Sequence, residues 1–253
     1  MTSGNPVLQV EHLTKAFGGV VAVQDVSFTV AAGELVALIG PNGAGKTTCF
    51  NLVNGQLVPD AGSVVLGGER IDGLPPRAVA GKRVGRTFQV AATLASMTVR
   101  ENVQVALLAH EKEHRSIATR AVDCKRAEAD TLLERVRMSR FADQGCATLA
   151  YGDAKRVELA LALAGAPRLL LMDEPTAGMS PRSRGRVMRL AADLARSETI
   201  AVLFTEHDMD VVWSYADRVI VLDRGRIIAE GPPDVIRADA RVQAVYLGED
   251  ESA

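Results

Sequence analysis

Two rhythms divide the chain. Apolar and polar residues alternate from Val7 to Val10, and again from Val26 to Val30 after a Gly18-Gly19 turn, as in half-buried strands. The run from Leu35 to Ile39 is continuously apolar, as are Leu169 to Met172 and Ile200 to Phe204, which predicts strands buried on both faces. A helix from about Lys46 to Gly55 follows the first run. Another lies between the second and third, with Ser180 as its N-cap and Pro181 at its first helical position. Strand, helix, strand at this spacing predicts a parallel sheet. From Thr98 to about Asp143 the periodicity turns helical. Lys125, Arg126, Glu128, Asp130, Glu134, Arg135 and Arg137 surround Leu132, Leu133 and Val136, a mixture of signs that suits a solvated helical subdomain. Helix 154–164 is apolar nearly all round and should be deeply packed. With no repeat, linker or low-complexity tract, residues 1–253 read as one α/β domain carrying a helical insertion at about 92–150 and a helical tail at about 233–253.

Composition narrows the partners. A formal net charge of -2 gives no global case for nucleic acid or an anionic membrane surface. Aromatic residues make up only 4%, so the core rests on Leu, Val, Ile and Ala. Cys49, Cys124 and Cys146 are few, scattered and odd in number, which fits ordinary thiols in a reducing cytosol rather than a disulfide framework or zinc site. The N-terminus lacks the pattern of a signal peptide, and no stretch reaches the ~20 apolar residues that span a bilayer. A membrane role would therefore need partners.

The chemistry begins at Gly40-Pro41-Asn42-Gly43-Ala44-Gly45-Lys46-Thr47, a full P-loop pattern between a predicted strand and helix, with Thr48 next to it. Its glycines let the backbone N–H groups turn inward on phosphate oxygens, and the helix N-terminus favours an anion. Lys46 should neutralise the β- and γ-phosphates, and the Thr47 hydroxyl should bind Mg²⁺. The second motif is the acidic pair Asp173-Glu174 closing an apolar run, where a charge beside a core must be paired or bind metal. Asp173 suits Mg²⁺, and Glu174 suits the base that polarises an attacking water. Together the two motifs indicate a P-loop ATPase or GTPase.

A third segment is more discriminating. Leu149-Ala150-Tyr151-Gly152-Asp153, ahead of the apolar helix, resembles the signature motif of ABC ATPases, although Ala150, Tyr151 and Asp153 depart from its usual Leu-Ser-Gly-Gly-Gln. Read without that likeness, the segment is a helix N-terminus capped by Asp153. With it, the resemblance to ABC ATPases covers almost the whole chain. It implies an α/β P-loop NTPase with a mostly parallel core sheet, an N-terminal antiparallel β-subdomain and a helical subdomain. It further implies that Phe17 stacks on adenine, that Gln89 of Arg86-Thr87-Phe88-Gln89 touches Mg²⁺ and meets a permease, and that His207 is the switch histidine. Residues 175–180 fall where the family has its D-loop, without the usual aspartate. His12, His110 and His114 match no motif and read as surface residues. Two cassettes would close head to tail on two ATP molecules, each held between one P-loop and the partner's Ala150-Tyr151-Gly152.

A finer resemblance points to the ATPases of branched-chain amino-acid importers. It rests on residues 17–23, 86–89, 97–103, 149–153 and 206–209 and on Tyr246-Leu247-Gly248-Glu249, the last similar also to the lipopolysaccharide exporter ATPase. It implies transmembrane permeases, a second ATPase (itself or a sister) and, indirectly, a solute-binding protein, at the inner face of the plasma membrane. Related importers of urea, amides or aromatic compounds, and a lipopolysaccharide exporter, remain alternatives. The solute is not written in such a chain, because the ATPase never touches it.

Overall fold

The computed structural model describes residues 6–87, 93–110 and 124–247. Strands β1 (Leu8–Phe17) and β2 (Val20–Val30) form a hairpin over Gly18 and Gly19. With β4 (Ala61–Leu66) and β5 (Glu69–Arg70) they make an antiparallel sheet in the order β2-β1-β4-β5. Between them in sequence lie β3 (Leu35–Ile39) and α1 (Lys46–Val53). After α2 (Pro76–Gly81) and β6 (Val84–Thr87) the described residues form the α-helices α3 (Val99–His110), α4 (Arg126–Arg135) and α5 (Tyr151–Leu163), with two short 3-10 turns between the last two. The chain continues through β7 (Leu169–Asp173), α6 (Pro181–Glu198), β8 (Ala201–Thr205), α7 (Met209–Tyr215), β9 (Arg218–Asp223) and β10 (Arg226–Gly231). It closes with α8 (Pro233–Ala238) and α9 (Ala240–Leu247).

The second sheet runs β10-β9-β3-β8-β7-β6, parallel throughout except for the antiparallel β10 edge. Its central strand explains the apolar run. Val36 and Leu38 pack on the face shared with Cys49, Phe50 and Leu52 of α1, whereas Leu35, Ala37 and Ile39 face the core containing α5 and α6. Both faces are dry, so alternation would bury polar groups without partners. Cys49 lies in this core, and burial pushes its thiol up to about 12, consistent with an unreactive side chain.

Helix α5 is deeply packed but begins at Tyr151 rather than 154. Ala150 occupies its N-cap position and has no side-chain oxygen to offer. Asp153, expected as the cap, lies inside the first turn and pairs with Arg156 instead. Ser180 does hold the N-cap position of α6, yet its hydroxyl donates to Ser183 Oγ at 3.1 Å and caps no backbone N–H. Arg100 of α3 pairs with Asp130 and Asp143, tying the charged helices together. The packing of α5 also encloses an ion pair, Lys155–Glu158 at 2.9 Å, with each side chain 2% exposed.

Candidate functional site

The loop between β3 and α1 is shaped by its glycines. Gly40, Gly43 and Gly45 have φ of 151°, 79° and 105°. A Cβ at Gly40 would stand 2.1 Å from Leu222 O, and one at Gly45 would stand 2.3 Å from Ala22 O. The β9–β10 turn braces the loop further, with Gly225 N donating to Ala44 O at 2.9 Å. Lys46 is buried and bends over the loop, donating to Gly40 O at 2.6 Å and Pro41 O at 2.9 Å. Its ammonium is thereby held where inward-turned N–H groups and an anion would meet.

The acidic pair ends β7, and the neighbouring strand ends hold it. Asp173 and Thr205 are register partners across β7 and β8, and Thr205 Oγ1 donates to Asp173 Oδ1 at 2.8 Å. Arg86, at the end of β6 on the other side, places Nη2 3.4 Å from Asp173 Oδ2 while donating to Asn51 Oδ1 and Gln56 Oε1. Glu174 has a left-handed backbone, φ 46°, and its N–H donates to Thr205 Oγ1 at 3.1 Å. Its Oε1 lies 2.8 Å from Nε2 of the exposed His207. Between Thr205 and His207, the buried Glu206 accepts from both N and Oγ1 of Thr176. Burial raises the Glu206 carboxyl above its ordinary range and the Glu174 charge adds to this, while the Thr176 bonds oppose it.

One open cleft of about 200 Å³ gathers Asn42, Gly43, Ala44, Gly45, Lys46, Thr47 and Thr48 with Glu174 and His207, and with Ala22 behind them. A phosphate-binding loop thus faces a carboxylate–imidazole pair, the arrangement needed to bind a phosphate chain and activate a water beside it. Gly40 and Pro41 shape the loop from behind, outside the lining. Phe17, at the tip of the β1–β2 hairpin, is 48% exposed and lies apart from that lining, as do Ala150, Tyr151 and Gly152 at the start of α5. Gln89 and His114 lie outside the described residues. His12 and His110 are exposed, as expected. Sequence reasoning missed Thr205 and Arg86 as holders of Asp173. Only the register of the flanking strands reveals them.

Residues 23–177 match the family described as ABC transporter. The chain belongs to that family. A second match, to the branched-chain amino acid ATP-binding cassette transporter family, spans residues 226–252, which include β10, α8 and α9. This ABC cassette is 38% identical to the high-affinity branched-chain amino acid transport ATP-binding protein BraF of Pseudomonas aeruginosa, covering 96% of this chain and 98% of that one. It is 37% identical to the lipopolysaccharide export system ATP-binding protein LptB of Haemophilus influenzae, again covering 96% and 98%. Among solved structures, the ADP conformation of MJ1267, an ATP-binding cassette of an ABC transporter, superposes with a TM-score of 0.87 at 30% identity, covering 97% of this chain and all of that one. As an ABC cassette the chain is a nucleotide-binding ATPase of the class that energises transport.

Proposed function

We propose that this cassette hydrolyses ATP to drive an importer of branched-chain or other hydrophobic amino acids. The observation that carries the catalytic part is the cleft in which the P-loop faces Glu174 and His207. The loop N–H groups and Lys46 would hold the phosphates, Glu174 would take the proton of the attacking water, and His207 would keep that carboxylate in place. The Thr47 hydroxyl and Asp173 carboxylate are hard oxygen donors, a set that fits Mg²⁺ when substrate phosphates supply further ligands. Bound there, Mg²⁺ would offset charge developing on the transferred phosphoryl group. We assign Gln89 to the same metal and to the permease contact, and Phe17 to adenine.

Ala150, Tyr151 and Gly152 open α5 away from the chain's own cleft, which supports a second cassette whose γ-phosphate they would meet through the helix N-terminus. That cassette is either a second copy or a sister ATPase. No helix among the described residues is long and apolar enough to cross a membrane, so attachment to the cytoplasmic face would run through permease subunits, with a solute-binding protein acting on the far side. The match at residues 226–252 and the similarity to BraF favour amino acids. The similarity to LptB supports lipopolysaccharide export as a second reading.

The test is uptake of labelled leucine by the native cell, comparing wild type with Glu174→Gln at equal protein level. Loss of uptake in the variant is the expected result. Unchanged uptake would sink the leucine assignment and direct the same assay to urea, amides and aromatic acids, then to envelope lipid.

A further inference from the structure

Three consecutive residues at the end of β8, Thr205 to His207, each hold a different part of the chain where β7 ends. Thr205 holds the Asp173 side chain and the Glu174 N–H. His207 meets the Glu174 side chain. The middle residue, Glu206, has no part in the hydrolysis described above. It is 3% exposed and its partner Thr176 is 2% exposed, so both groups are effectively dry. A carboxylate is an expensive group to bury at such a position. What it supplies is one oxygen, Oε1, that takes both donors of Thr176: the N–H at 2.9 Å and the hydroxyl at 2.7 Å.

Thr176 stands two residues after Glu174, whose φ of 46° is left-handed for a residue with a side chain. The short stretch from Glu174 to Thr176 is therefore pinned at both ends, by Thr205 on one side and by Glu206 on the other. With either end free, the peptide could relax toward commoner backbone angles and swing the Glu174 carboxylate out of the cleft. We infer that Glu206 is a positioning residue for ATP hydrolysis, which acts through Thr176 to hold the main chain that aims Glu174. It touches no reacting atom. The inference rests on Glu174 serving as the base.

The experiment measures kcat and KM for ATP on the full chain assembled with its permeases, with a thermal midpoint for each variant. Glu206→Gln and Thr176→Ser keep the acceptor and the donor, and should stay within about threefold of wild type. Glu206→Leu and the nearly isosteric Thr176→Val remove them, and should lower kcat roughly 10- to 100-fold while KM moves by less than about threefold. Thr176→Val keeps the test decisive should Glu206→Leu fold poorly. A folded Thr176→Val with wild-type kcat would overturn the inference. So would a Glu206→Gln variant as slow as Glu206→Leu, because the charge and not the hydrogen bonds would then be at work. Glu174→Gln is the control. If it keeps its turnover, the base assignment falls and the inference falls with it; if it is inactive while Thr176→Val is normal, only the inference fails.

Discussion

Glu206 is a carboxyl group whose burial, with the Glu174 charge nearby, holds it above the ordinary value of 4.5. A folded-state pKa above the unfolded one means that ionisation opposes folding, so stability is fullest below the unfolded value and falls as pH rises through the folded one. Glu206→Gln mimics the protonated form. It should be more stable than wild type near pH 8, and the difference should vanish as pH approaches about 4. Urea unfolding at several pH values measures it, and a difference independent of pH would contradict the account. The Lys155–Glu158 pair, with both side chains 2% exposed, carries a sharper cost. Lys155→Met removes the Lys155 ammonium from the buried Glu158 carboxylate and should lose about 3–5 kcal/mol in the same unfolding assay. A loss under about 1 kcal/mol would mean that Glu158 is otherwise neutralised. Asp173 and Glu174 were legible in the sequence because charge at the end of an apolar run demands a purpose. Thr205 and Glu206 were not, because a hydroxyl and a carboxylate become clamps only when the register of two parallel strands brings them to their donors and acceptors.

At the scale of elements, the strands buried on both faces were the readable part, since a continuous apolar run leaves little else for β3, β7 and β8 to be. Helix starts were less so. The start of α5 was misplaced because Ala150 carries no capping oxygen, and Asp153, which has one, spends it on Arg156. The P-loop was legible as a motif, but its bracing by the β9–β10 turn was not, because Leu222 and Gly225 are far away in sequence. That bracing separates two glycines that look alike in the motif. Gly43 has φ 79° but nothing within 4 Å of an added Cβ, so Gly43→Ala should cost only backbone strain, about 1–2 kcal/mol. At Gly40 a Cβ would meet Leu222 O at 2.1 Å and Ala44 Cβ at 3.0 Å, so Gly40→Ala must displace β9 as well. Its loss of stability should clearly exceed that of Gly43→Ala in parallel thermal melts. Equal losses would show that the loop does not lean on β9.

For the molecule as a whole, the proposed pairing of two cassettes would make the cleft one half of a site. The P-loop, Glu174 and His207 line it, while the open start of α5 lies elsewhere on the same chain. Two chains joined through nucleotide would complete both halves, so Glu174→Gln should shift from monomer to dimer in ATP on size-exclusion chromatography and not in ADP. An elution unchanged by ATP would argue against that assembly. If Glu174, aimed by the residues at the end of β8, is the base of ATP hydrolysis, ATP binding and turnover measured together on wild type and Glu174→Gln should separate. Binding should stay within a few-fold of wild type while turnover falls by about 10²-fold or more. A variant that binds ATP and still turns it over at near the wild-type rate would contradict that role.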